Sequence, residues 1–201
     1  LSIVMDIIKQ ISGENNSINH VDADIKKISI RINGKNNHIN IEKHAKIHNL
    51  SILINGDNNT INIGERCSIV GSVNMRGDGN CLVISSLTSF QNTNINIQEG
   101  TSVSIGVNCM FASGVQIRTT DSHSITDMDG NRINPAKNIS IGDKCWIGLD
   151  ALIMKGAFIP DETIVGARAT VTGKFSESNI IIAGTPAKII KTGVKWDRRL
   201  L

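Results

Sequence analysis

Between Ile141 and Val171 a branched aliphatic residue returns at every sixth position: Ile141, Ile147, Ile153, Ile159, Val165 and Val171. An amphipathic helix repeats its apolar face about every 3.6 residues and a half-buried strand about every 2, so neither explains a period of six. Four residues after each of the first five aliphatics stands a small side chain: Cys145, Ala151, Ala157, Thr163 and Ala169. Ile105, Phe111 and Ile117 carry the same spacing upstream. One inward aliphatic per hexapeptide, with three hexapeptides to a turn, predicts a triangular prism of short stacked strands.

The first half of the chain repeats more loosely. The stretches GENNSINH from Gly13, GKNNHINI from Gly34, GDNNTINI from Gly56 and GDGNCLVI from Gly77 recur every 21 or 22 residues. A unit this short cannot bury its own apolar face and must stack on its neighbours. Alternation such as Ile61-Asn62-Ile63 is a strand signal, and the preceding Gly-x-Asn-Asn is a corner, because glycine and asparagine tolerate positive φ. Of the 22 asparagines, 17 precede residue 100. The longer units are 18-residue turns with extra corner residues. Composition agrees: the hydrophobic 40% is nearly all aliphatic, aromatics are 3% and tyrosine is absent, a mix suited to thin strand layers.

The expected organisation is an N-terminal segment at 1–10, asparagine-rich coils at 11–102, regular hexapeptide coils at 103–175, and a C-terminal cap and basic tail at 176–201. From Gly166 onward there are seven Lys/Arg and two Asp/Glu, a local +5, which leaves about −2 on the remainder of a chain of net +3. A basic end suits a phosphate-bearing ligand or an acidic polymer. Cys67, Cys81, Cys109 and Cys145 show neither CxxC nor ordered pairing with histidine, so no metal site or disulfide framework is expected and a reducing, cytoplasmic setting is. No stretch approaches the roughly 20 apolar residues of a membrane span. Basic residues are not interleaved with aromatics, which argues against nucleic-acid binding.

The hexapeptide phase is lost between Ile117 and Ile139, so the coil must extrude residues 118–138 as a loop, and loops on rigid scaffolds commonly carry function. It contains Asp121-Ser122-His123. A histidine can take a proton from a hydroxyl, and a nearby carboxylate can orient the ring. Asp-x-His alone is a weak motif, but His123 stands six residues after Ile117, where the loop leaves the prism. His20, His38, His44 and His48 lie in the N-terminal repeats and read as exposed polar positions.

The hexapeptide pattern resembles the hexapeptide-repeat acyltransferases, whose fold is a left-handed parallel β-helix; general rules for crossovers would favour the opposite hand. In detail, TDSHSI…GNRIN…NISIGDKCWIGLDALI is similar to the bacterial O-acetyltransferases that modify capsular polysaccharide, O-antigen and sialic-acid glycans. The closing IVGARATVTGKF…NIIIAGTPAKIIK resembles their acetyl-coenzyme A end. The resemblance implies an acetyl-CoA cosubstrate, a glycan acceptor, no metal, and a homotrimer with the active site between subunits. It makes His123 the general base and sets Trp146 beside the acetyl group. The backbone N–H of Leu149 would steady the thioester oxygen, and Ala167 would contact the pantetheine arm. Lys174, Lys188 and Lys191 match basic positions near the nucleotide, and each is equally a solvated lysine. Asp121 has three readings: orienting His123, binding acceptor hydroxyls, or holding the loop. Gly142, Gly148 and Gly166 read as corner glycines, and Cys109 and Cys145 as packing residues. Arg168 departs from the glycine common there. VKWDRRLL, with Trp196, reads as a short helix or tail packed on the coil or a neighbour. Two other functions are compatible with the same residues: N-acetylation of an amino sugar or small molecule, and a non-catalytic glycan-binding solenoid.

Overall fold

The computed structural model describes residues 6–201, and among them every regular element is a strand. One face of the prism stacks Ser17–Asn19, His38–Ile41, Thr60–Ile63, Cys81–Ile84, Ser102–Ile105, Ile139–Ile141 and Phe158–Ile159 in parallel. The other two faces share longer strands that wrap a corner. Met110–Arg118 shows how: Met110 and Phe111 pair with Trp146 and Ile147, while Gln116 to Arg118 pair with Leu152 to Met154. Of the N-terminal segment 1–10, the first five residues lie outside the described residues, and Ile7–Ser12 is already a strand, paired in parallel with Ile28 to Asn33. Among the described residues no helix is long and apolar enough to cross a membrane.

The hexapeptide aliphatics fill the prism. Ile30, Ile52, Val73, Ile95, Ile117, Ile153 and Val171 pair coil to coil in one line along the axis. All are buried, each worth about 1.5–3 kcal/mol over an exposed side chain. Each of the six aliphatics from Ile141 to Val171 is inward, and so is each small residue from Cys145 to Ala169. The small residues fit because the corner leaves little room: Cys145 Sγ donates to Pro160 O at 3.2 Å and Thr163 Oγ1 to Pro160 O at 2.8 Å.

The Gly-x-Asn-Asn corner divides its labour. At Gly56 φ is 140°, and a Cβ there would lie 2.1 Å from the carbonyl oxygen of Gly77 in the next coil. The first asparagine takes the left-handed conformation, as at Asn36 and Asn58; in the fourth repeat Gly79 does so instead. The second asparagine turns inward and is fully buried at Asn37, Asn59 and Asn80. There each side chain receives the backbone N–H of the next: Asn59 N donates to Asn37 Oδ1 at 2.9 Å and Asn80 N to Asn59 Oδ1 at 2.8 Å. The buried corner amides are thereby satisfied, as burial requires.

The four thiols are free, and Cys67, Cys109 and Cys145 are buried. Burial pushes the Cys67 thiol up to about 11; contact with Cys109, together with burial, also raises that of Cys145. A thiol reagent applied to the native protein should therefore label Cys81 alone, with the other three reacting only after denaturation. Rapid native labelling of Cys109 or Cys145 would contradict their reading as packing residues.

Candidate active site

The strand Met110–Arg118 brings the chain to a prism corner, where Thr119 and Thr120 are still buried. From there the loop departs and returns at Ile139–Ile141. It carries its own antiparallel bridge, Thr126 to Arg132, and a tip closed by Asp127, which accepts from Asp129 N and Asn131 N. Two ion pairs pin it to the prism, and Asn134 braces it from within. Arg132 forms a two-point ion pair with Glu99, whose Oε2 also accepts from Thr120 Oγ1 at 2.8 Å. Lys155 Nζ meets Asp121 Oδ2 at 2.6 Å. Asn134, 7% exposed, donates from Nδ2 to Asp121 Oδ2 at 2.8 Å and to His123 O at 2.9 Å.

These contacts set the charge states. Hydrogen bonding to Arg132 holds the Glu99 carboxyl below its ordinary value, and hydrogen bonds from Lys155 and Asn134 do the same for Asp121. A carboxyl lowered in the folded state stabilises that state above the ordinary carboxylate range, and the contribution is lost as pH falls toward the depressed value. The loop anchors are thus intact at neutral pH and loosen in acid.

His123 stands exposed, directly after Ser122 in the left-handed conformation at φ 65°. Ser122 is held by its N–H to Thr120 Oγ1 at 2.9 Å and by Arg118 Nη2 on its hydroxyl at 3.2 Å. Among the described residues the imidazole has no hydrogen-bond partner, so both ring nitrogens remain available. Asp121 Oδ2 is taken by Lys155 and Asn134, contacts that suit holding the loop, and among the described residues none of its hydrogen bonds goes to His123.

Trp146 lies outward on the strand Trp146–Ile147, 38% exposed, in register with Met110 and Ile164. That register places it at the opposite end of the Met110–Arg118 strand from the loop, on a different face of the prism from His123. Its ring packs on Trp196 at 6.2 Å between centroids. Trp196 is 8% exposed and donates Nε1–H to Lys144 O at 2.7 Å. The tail VKWDRRLL forms no helix. It lies extended on its own coil, where Arg198 reaches Ser89 Oγ at 2.9 Å and Cys109 O at 2.9 Å.

Leu149 and Ala167 occupy successive levels of one corner, and a comparison between corners explains their chemistry. At the neighbouring corner an aspartate caps the amide one coil earlier: Asp143 Oδ1 accepts from Val107 N at 2.8 Å, and Asp161 Oδ1 from Asp143 N at 2.7 Å. The residues equivalent to those aspartates, six positions on, are Leu149 and Ala167, which have no acceptor to offer. The N–H of Leu149 consequently lacks a partner among the described residues, and so does that of Ala167, to which the following coil offers no acceptor. Gly148 and Gly166 serve the stacking: a Cβ on Gly148 would fall 2.7 Å from Ala167 N. Gly142 likewise packs against the corner below, where a Cβ would meet Asp161 N at 2.6 Å.

At the C-terminal end of the prism, Lys188 and Lys191 lie on Lys188–Thr192, antiparallel to Ile180–Ala183, and Lys174 bridges to Phe158. All three are exposed and form no ion pair among the described residues. Arg168, at φ 59°, projects beside Ala167 with its guanidinium 3.9 Å from Asp150. Glu99, Arg132, Asn134 and Lys155 were not singled out from the sequence. Their signal is spatial, since Glu99 and Lys155 lie on coils either side of the loop.

A parallel triangular coil of hexapeptides, interrupted by one pinned loop that presents a histidine, is the architecture of an acyl-transferring β-helix enzyme. No family model matches the sequence. It is 35% identical over 190 residues to a polysialic acid O-acetyltransferase of Neisseria meningitidis, which spans 94% of this chain and 88% of that protein. It is 40% identical over 97 residues to a polysialic acid O-acetyltransferase of Escherichia coli O1:K1, covering 48% of this chain and 31% of that one. Among solved structures, the polysialic acid O-acetyltransferase OatWY superposes with a TM-score of 0.91 at 33% identity, over 97% of this chain and 92% of the other. The polySia-specific acetyltransferase NeuO gives 0.90 at 30% identity, over 96% and 90%. The chain belongs to the polysialic acid O-acetyltransferase family of hexapeptide-repeat acyltransferases, and its coil is the left-handed parallel β-helix.

Proposed function

We propose that this O-acetyltransferase moves the acetyl group of acetyl-CoA to a hydroxyl of a capsule glycan in the bacterial cytoplasm, with polysialic acid as the first acceptor to test. Similarity along nearly the whole length to enzymes named for that polymer carries the reading. His123 Nε2 or Nδ1 accepts the proton of the attacking hydroxyl, whose oxygen bonds to the thioester carbonyl carbon. The carbonyl oxygen gains the negative charge, which the free N–H of Leu149 stabilises. Collapse of the adduct breaks the carbon–sulfur bond, and the coenzyme leaves as the thiol with the proton. The thioester supplies the activation, so placement, a base and an oxyanion donor suffice.

Cosubstrate binding has physical support on the same chain. One coil below Leu149, the free Ala167 N–H suits an amide carbonyl of the pantetheine arm, and Lys174, Lys188 and Lys191 suit the nucleotide phosphates. The separation of His123 from Trp146 on different faces favours a homotrimer, in which the loop of one protomer faces the Trp146 corner of the next.

The test is thiol release from acetyl-CoA with polysialic acid and a panel of other capsule and O-antigen polysaccharides. Inactive His123→Ala and Trp146→Ala chains are then co-refolded. Acceptor-dependent release is expected, and co-refolding should restore activity because some interfaces pair an intact His123 with an intact Trp146. Release only with amino-sugar acceptors would overturn the hydroxyl assignment, and no recovery on mixing would overturn the shared site.

A further inference from the structure

We infer that Asn134 is a positioning residue for the catalytic loop, which holds the backbone at His123 and Ile125 and the carboxylate of Asp121 from across the loop; the inference rests on the reading of His123 as the base. Its amide plane meets three alternate residues of the His123 segment. Oδ1 accepts Ile125 N–H at 2.7 Å, and Nδ2 donates to His123 O at 2.9 Å and to Asp121 Oδ2 at 2.8 Å. Arg132 Nε takes the second lone pair of Oδ1 at 3.3 Å. Both amide hydrogens and both lone pairs are therefore committed, which is the full capacity of an asparagine. The orientation of the amide is forced, because the flipped form would set its oxygen against two acceptors.

The asparagine is itself held. Arg132 Nη2 donates to Asn134 O at 3.2 Å while the same guanidinium pairs with Glu99 on the prism wall. Lys155 secures the Asp121 end. Ser122, at φ 65°, sits inside this frame, and a non-glycine residue keeps such a conformation only where its surroundings over-determine it. Among the described residues the exposed imidazole has no hydrogen-bond partner, so its aim is set chiefly by the backbone from which it springs. Asn134 is what ties that backbone at 123 and 125 to the carboxylate of Asp121. A catalytic group that must meet a hydroxyl within hydrogen-bond reach loses rate when its anchor moves by even about 1 Å.

Asn134→Ala and the near-isosteric Asn134→Asp are compared with wild type, His123→Ala, the double variant His123→Ala/Asn134→Ala, and Asp127→Ala. Asp127 closes the tip of the same loop, and its side-chain hydrogen bonds among the described residues go to Asp129 and Asn131. Asn134→Asp keeps the acceptor for Ile125 N–H but turns an oxygen toward Asp121 and His123 O; it carries the test if Asn134→Ala folds poorly. Both Asn134 variants should lower kcat by about tenfold to a hundredfold, on the scale of misplaced catalytic groups, with KM for acetyl-CoA unchanged. Asp127→Ala should keep wild-type kcat. In the double variant the Asn134 change should add nothing to the loss already caused by His123→Ala, because residues that act as a unit are non-additive. Wild-type kcat in both Asn134 variants beside an inactive His123→Ala would overturn the inference alone. So would an equal proportional loss on the His123→Ala background, which marks a merely structural residue. Wild-type activity in His123→Ala would remove the base reading, and this inference with it.

Discussion

Replacing His123 with alanine should lower kcat by about 10²–10⁴, the usual contribution of a positioned general base, while KM for acetyl-CoA and the unfolding temperature stay at wild-type values. The expectation of an intact fold comes from the anchors. Arg132 with Glu99, Lys155 with Asp121, and Asn134 with His123 O all bypass the imidazole. Removing an exposed ring with no hydrogen-bond partner among the described residues leaves every one of them in place, and exposed sites of this kind usually change stability by no more than about 0.5 kcal/mol. The loss should therefore fall on the chemical step and not on cosubstrate binding. Steady-state kinetics with saturating polysaccharide, alongside a melting curve, separate the two. Unchanged kcat in a well-folded His123→Ala protein would mean that the base lies elsewhere, and a rise in KM for the polysaccharide, measured by varying it at saturating acetyl-CoA, would mean that the histidine binds the acceptor instead.

The fold was readable because its signal is periodic. A six-residue phase calls for a triangular coil, though not for its hand, and the aliphatics from Ile141 to Val171 all point inward as that coil demands. The loop boundary was readable for the same reason, since a lost phase marks where the coil lets go. Side-chain direction at a corner was not readable. Asn58 and Asn59 are identical in sequence terms, yet one is exposed at positive φ and the other is buried and bridges two coils. Turn chemistry accounts for the first and says nothing of the second. Loop anchoring was also hidden, because Asp121 and Lys155 are 34 residues apart and meet only once the coil has closed. Trp196 shows the same limit: its fold-back onto Lys144 O spans 52 residues, and nothing local predicts it.

The buried asparagine ladder leads to the largest expected effect on stability. Asn59 Oδ1 accepts from Asn80 N at 2.8 Å and Asn80 Nδ2 at 2.9 Å, while its own Nδ2 donates to Asn37 Oδ1 and Gly77 O, each at 3.0 Å. Asn59→Ala strands the buried N–H of Asn80 in a corner with no room for a replacement partner. An orphaned buried donor costs about 1–3 kcal/mol, so with the small void the loss should reach about 2–4 kcal/mol. Asn62→Ala, three residues on, is the internal control: Asn62 is exposed, and its loss should cost no more than about 0.5 kcal/mol. Denaturant midpoints compare the two, and amide exchange localises the effect, which should appear first at Asn80 and the strands Thr60–Ile63 and Cys81–Ile84. Because a solenoid couples only neighbouring coils, the coils beyond Thr101 should keep their protection until global unfolding. Equal midpoints for Asn59→Ala and Asn62→Ala would show that stacked aliphatics alone hold the N-terminal coils and that the ladder only fills space.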